Sequence, residues 1–174
     1  MRYLYPNPRR TVLLALVAAV GLALQGAGAI AQQSDAPPDT ILTVVPAPGA
    51  EPVHFTEADL DNLTFQTFQT STIWTEGVQE FSGPSLATVL EAAGAVDGVR
   101  RFRLTALNDY AVLIDMSQVE ADVPIIANRM NGAKFSVRDK GPLWVVFPYD
   151  SASRYRTETI FSISVWQLRR IEGL

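Results

Sequence analysis

The 174-residue sequence contains no cysteine and a single histidine, His54. That excludes disulfides, thiol nucleophiles, iron–sulfur clusters and any metal–thiolate bond, and it argues against a histidine metal cluster or a Ser-His-Asp triad. The formal charge of −4 argues against a nucleic-acid partner.

Arg2, Arg9 and Arg10 precede "TVLLALVAAVGLALQGAGAIA", an apolar core too short for a comfortable membrane span. Ala29 and Ala31 flank Ile30 in a small-x-small cleavage pattern, so residues 1–31 read as a signal peptide and Gln32 as the mature start. An uncleaved anchor is the other reading of this stretch. "RRTVLL" fits the twin-arginine pattern, which serves folded, cofactor-loaded cargo, whereas Pro8 and the leucine-rich core fit general secretion. Either route delivers a mature chain without a membrane span to the periplasm or the exterior.

Residues 32–174 hold all eighteen acids and eleven of the fourteen bases, a net charge of −7. Ten of those acids, and no Lys or Arg, precede Arg100; all eleven bases follow from there. An acidic front half against a mildly basic back half places any anion site in the back half.

Residues 32–40, "QQSDAPPDT", are polar and proline-bearing and read as a flexible lead-in to a single domain over 41–174. "ILTVV" (41–45) is a strand. A capping box then starts a short helix, with Thr56 as N-cap, Asp59 at N3 and Phe55 stapled on Leu60. His54, just ahead of it, reads as a surface residue. "FQTFQTSTIW" (65–74) is strand-like. "GPSLATVLEAAG" is the clearest helix, with Pro84 in the first turn, Gly94 just past the end, and Leu86, Val89, Leu90 and Ala93 on one face. "RRFRLTALNDYAVLID" is a hairpin in which Phe102, Leu104 and Ala106 alternate with Arg101, Arg103 and Thr105. Ser117 with Glu120 offers a second capping box, cut short by Pro124, and Asn131-Gly132 is a turn. "PLWVVFP" and "ETIFSISVWQLRRIE" read as the final strands. The fold class is α+β, a strand-dominated mixed-sheet domain with short helices.

Four stretches in order resemble the oxidoreductase molybdopterin-binding domain family, the fold of sulfite oxidases and related periplasmic reductases. They are "WTEGVQEFSGPSLATVLEAAGA", "ALNDYAVLID", "IIANRMNGAKFSVRDKGPLWVVFP" and "ETIFSISVWQLRRIE", together spanning roughly residues 65–172. The resemblance implies a sulfite oxidase molybdopterin-binding-domain-like fold. It also implies a cysteine metal ligand shortly before the Phe-x-Gly helix segment, but there the chain has Thr70, Ser71 and Thr72. A neutral hydroxyl is a much poorer ligand than thiolate for this role. The family's Asp-Gly-Tyr stands here as Asn108, Asp109 and Tyr110, and its Pro-Leu-Arg as Pro142, Leu143 and Trp144. An arginine there can serve an anion; indole cannot. The chain is also shorter than the full enzymes and carries no haem or dimerisation domain.

Within the resemblance, the loop before Gly141-Pro142 lies at a cofactor mouth. Arg138 and Lys140, flanking Asp139, then hold an anion such as a pterin phosphate, with Arg129 beside Asn128 as a third positive contact. The alternative is that Arg138 and Asp139 pair with neighbours and only order the loop. Ser71 and Thr72 either line a cavity or face outward from a strand. Trp74, Trp144 and Trp166 lie in strand-like runs and read as core, Trp74 being the exception that can line a pocket. Asp109 reads as a turn residue beside Asn108 and Tyr110.

Two functions follow. One is a binding or accessory module that keeps the scaffold without molybdenum redox catalysis, has no catalytic or metal residue, and takes a small anion, a pterin, or a periplasmic or membrane protein partner. The other is a periplasmic oxidoreductase that binds the molybdenum cofactor through a non-Cys ligand. No cofactor is expected under the first; molybdopterin enters only under the second.

Overall fold

A computed structural model describes residues 36–95 and 98–174. The signal peptide read over 1–31 and the front of the lead-in lie outside the described residues. The described chain runs β1 (Thr40–Val45), β2 (Val53–Thr56), α1 (Glu57–Asp61), β3 (Phe65–Ser71), β4 (Val78–Pro84) and α2 (Leu86–Ala92). It continues through β5 (Arg101–Ala106), β6 (Ala111–Asp115), β7 (Ile125–Ala127), β8 (Arg129–Met130) and β9 (Ala133–Lys134). The last elements are β10 (Trp144–Val146), α3 (Glu158–Ile163) and β11 (Leu168–Gly173).

One sheet has the order β2-β1-β11-β5-β6 and is mixed, because β1 and β11 run parallel while their other neighbours are antiparallel. A second sheet, β3-β4-β8-β9, is antiparallel, and β10 pairs with β7. The fold is therefore strand-dominated α+β with mixed sheets and short helices, as the residue pattern implies.

Alternation explains the hairpin of β5 and β6. Phe102, Leu104 and Ala106 are buried while Arg101 and Arg103 face solvent. Burying such a row of apolar side chains stabilises by roughly 25 cal/mol per Å² of apolar surface. At α1 the capping box forms as read: Asp59 N–H donates to the Thr56 hydroxyl, and Thr56 N–H donates to the Asp59 carboxylate. Asn131 and Gly132 both take positive φ, 53° and 76°, in the tight turn joining β8 to β9. Gly83 lets β4 pass against β7, since a Cβ there would strike the Ile126 carbonyl.

Four readings are corrected. Pro84 ends β4, and Ser85 is the N-cap of α2, its hydroxyl accepting the Thr88 N–H. The second capping box belongs to Asp115 and Gln118, two residues before Ser117 and Glu120, and starts only a 3-10 turn. The strand read over 65–74 stops at Ser71. "ETIFSI" is helix α3, because Thr157 caps the Ile160 N–H and the spacing of Ile160 and Ile163 buries both. β-branched composition had masked this 3.6-residue period. His54 lies in β2, partly exposed, with Nδ1 3.1 Å from the Thr43 hydroxyl.

Candidate ligand-binding site

The β3–β4 hairpin carries three of the sequence candidates. At its end, Ser71 donates to Asp150 twice, from its N–H (2.5 Å) and its hydroxyl (2.8 Å). Arg156 pairs with the same carboxylate. These partners, the Ser71 N–H foremost, lower Asp150 to about 2. Buried Thr70 accepts the Asp150 N–H and donates to the Ser71 carbonyl. The Thr72 hydroxyl accepts the Trp74 N–H and meets the Thr75 hydroxyl at 2.8 Å. All three hydroxyls that the resemblance puts in place of a metal thiolate are thus engaged internally. Among the described residues no three His, Asp or Glu side chains come together as a metal-ligand group. This donor set does not fit molybdenum.

Next to these hydroxyls, a cleft of about 360 Å³ opens between the Trp74 loop, the β5–β6 turn and the α3–β11 connection. Trp74, Phe161 and Trp166 give it aromatic walls, Asn108 and Tyr110 a polar edge, and none of its lining residues is charged. The Tyr110 hydroxyl donates to the Ser162 carbonyl (2.9 Å), and Asn108 Oδ1 accepts the Tyr110 N–H (3.1 Å). Among the described residues, the indole N–H groups of Trp74 and Trp166 and the Asn108 amide nitrogen have no hydrogen-bond partner. Beneath the cleft, the Trp144 indole N–H donates to the Ser164 carbonyl, and the Tyr149 hydroxyl donates to the Ser164 hydroxyl. Burial pushes the Tyr149 phenol up to about 12, so it stays neutral and structural.

The loop of residues 136–141 is tied to Gln167, the residue that follows Trp166 of the cleft wall. Gln167 donates its N–H to the Lys140 carbonyl (3.0 Å) and its side-chain amide to the Val137 carbonyl (2.6 Å). Within the loop, Ser136 donates its hydroxyl to the Asp139 carboxylate and accepts the Asp139 N–H on its carbonyl. Gly141 closes the turn against Phe135, whose carbonyl leaves no room for a Cβ. Asp139 is therefore spent on the turn. Arg138 is exposed, and the Lys140 ammonium stands 5.7 Å from the centre of the Trp144 ring. Neither forms an ion pair among the described residues.

Arg129 and Asn128 lie elsewhere. Arg129 grips Asp61 with two nitrogens, at 2.9 Å each, and buried Asn128 donates to the same carboxylate at 2.8 Å. Lys134 adds contacts to Glu57 (2.9 Å) and Asp61 (3.7 Å). The cluster ties α1 to the β8–β9 hairpin. Asp109, in the β5–β6 turn at φ 65°, pairs with Arg169 at 2.5 Å.

The structure thus gathers Trp74, Asn108 and Tyr110 at one cleft, with Arg138 and Lys140 on the adjoining loop. Ser71 and Thr72 border a smaller cleft of about 210 Å³ with Arg156 and Phe161. The α3 residues and Trp166 were missing from the sequence candidates. Thr157 followed by apolar residues at i+3 spacing was the signal for α3.

The chain shares the fold of a sulfane dehydrogenase. Among the solved structures it matches is the sulfane dehydrogenase SoxCD from Paracoccus pantotrophus, with a TM-score of 0.57 and 17% identity, covering 78% of this chain and 38% of that one. The chain therefore spans well under half the length of that protein, and at this identity the likeness is one of fold. No protein-family model and no curated protein matches the sequence. Among the described residues no helix is long and apolar enough to cross a membrane.

Proposed function

We propose that this chain is an exported binding module of the sulfite oxidase type of fold, working in the periplasm without molybdenum redox catalysis. Its ligand is a small planar anion of pterin-like chemistry, with the ring in the aromatic cleft and the negative group at Arg138 and Lys140. One observation carries this reading: an uncharged, aromatic-walled cleft has Trp166 in its wall, and the next residue, Gln167, is hydrogen-bonded to a loop whose Arg138 and Lys140 form no ion pair among the described residues. Desolvated aromatic walls favour a ring, and charge-assisted hydrogen bonds orient an anion. A periplasmic or membrane partner protein would then read the loaded or empty state.

The test is metal analysis with pterin fluorescence on protein purified from its own compartment, together with N-terminal sequencing. The expected result is a start near Gln32, less than stoichiometric molybdenum, and tryptophan quenching on titration with a phosphorylated pterin. Molybdenum near one equivalent per chain would replace this reading with that of an oxidoreductase using a non-Cys ligand.

A further inference from the structure

Trp74 is carried on a loop, yet its ring is the centre of the domain's aromatic cluster. Four rings surround it: Phe161 and Trp166 at 5.7 and 5.6 Å, Trp144 at 5.8 Å and Tyr149 at 6.3 Å, centroid to centroid. All four are steeply crossed with its plane, in T-shaped pairs at 66–89°. Edge-to-face packing with four rings is a geometry that favours a flat aromatic ring at the centre. Trp144 and Tyr149 are held in place from below by their bonds to Ser164, so the box has walls that do not depend on its occupant.

The loop holding the occupant is tied mainly to itself. The Trp74 N–H bonds Thr72, Thr72 meets Thr75, and the Gln79 side chain donates to the Glu76 carbonyl. Gly77 takes φ 65° at one end, and Ser71 is pinned to Asp150 at the other. Ile73, beside Trp74, is 65% exposed. The indole is thus what anchors this loop to the domain. Phe161 borders both the larger and the smaller cleft, and Trp74, in the wall of the larger, packs edge-to-face with it.

We propose that the box formed by Trp144, Tyr149, Phe161 and Trp166 is a binding site for a planar, uncharged fused ring, and that Trp74 fills it in the ligand-free chain. A ligand ring enters from the open cleft, Trp74 swings out with its loop, and the two clefts join. This rests on the binding reading above for the ligand's existence, and it adds where the ring seats; it does not depend on the ligand's charge.

Free indole is the probe. Mature protein labelled with 5-fluorotryptophan gives a fluorine resonance for each of its three tryptophans, and Trp74→Phe assigns that of Trp74. Titrating wild type with indole should move the Trp74 resonance toward the position of an exposed indole. Trp74→Ala should take up indole at least tenfold more tightly, because no internal ring competes. A Trp74 signal that indole leaves unmoved would overturn the proposal, and uptake by the variant alone would show only a cavity made by mutation. If Trp74→Ala does not fold, the wild-type titration decides. A phosphorylated pterin run in parallel separates the two readings. Binding lost in Arg138→Ala, with Trp74 unmoved, would keep the anion site and reject ring exchange.

Discussion

Arg129 and Arg138 lie nine residues apart in the sequence, both on the basic side of the chain, and they meet opposite fates. Arg129 is two-thirds covered or more, forked onto Asp61 and stacked over the Phe65 ring at 5.2 Å. Arg138 stands in solvent on a loop whose one acid, Asp139, is already taken by Ser136. The difference is set by what each backbone position faces. β8 brings Arg129 against Asp61 of α1, while Val137, Arg138 and Asp139 of the 3-10 turn are all exposed. A cation matched by an acid is architecture; one left unmatched at a cleft is available to a ligand.

Removing the acid from the first region should have the largest effect. Asp61→Ala leaves Arg129 and buried Asn128 without their acceptor, at roughly 1–3 kcal/mol for unsatisfied groups. A thermal melt should fall by several degrees. A melt unchanged within a degree would show that the pair is not structural, and the comparison would collapse.

Acid should sharpen the contrast next. Asp61 is lowered chiefly by its Arg129 hydrogen bond, and Asp150, at about 2, chiefly by the Ser71 N–H. Both are depressed from the ordinary 3.8. Such groups contribute stability above the unfolded value, and it is lost as pH falls through the folded one. Melting temperature should therefore drop between about pH 4 and pH 2, and Asp150→Asn should flatten that drop. An Asp150→Asn curve parallel to wild type would remove Asp150 from the account.

The second region should respond least in stability and most in binding. Arg138→Ala should change the fold by less than about 0.5 kcal/mol. Loss of a charge-assisted hydrogen bond should cost a phosphorylated pterin roughly 1.5–3 kcal/mol, on the order of tenfold or more in affinity. Unchanged binding, measured by tryptophan quenching, would leave the loop as a solvated turn.

This contrast also shows what could be read in advance. Local signals held: the Thr56–Asp59 box, the alternation from Phe102 to Ala106 and the turn at Asn131-Gly132 each depend on residues a few positions apart. The cleft was half legible, because Trp74, Asn108 and Tyr110 stood in motif positions while Phe161 and Trp166 lay in a stretch read as strand. What could not be read was partnership at a distance. Arg129 finds Asp61 across 68 residues and Asp150 finds Ser71 across 79, and composition alone does not separate a paired arginine from a free one.

The parallel pairing of β1 with β11 sets the order of events when the chain is made. Thr43, Val44 and Val45 meet Arg170, Ile171 and Glu172, so the middle of the five-stranded sheet waits for a strand far along the chain from β1. Closing so long a loop is slow and comes late. A chain still being synthesised would hold β1 and β2 without their central neighbour. A chain cut before Leu168 would expose the inner edge of β1 and both buried faces beside it, open to pairing with other chains. The six-residue strand β11 acts as the clasp of the whole sheet.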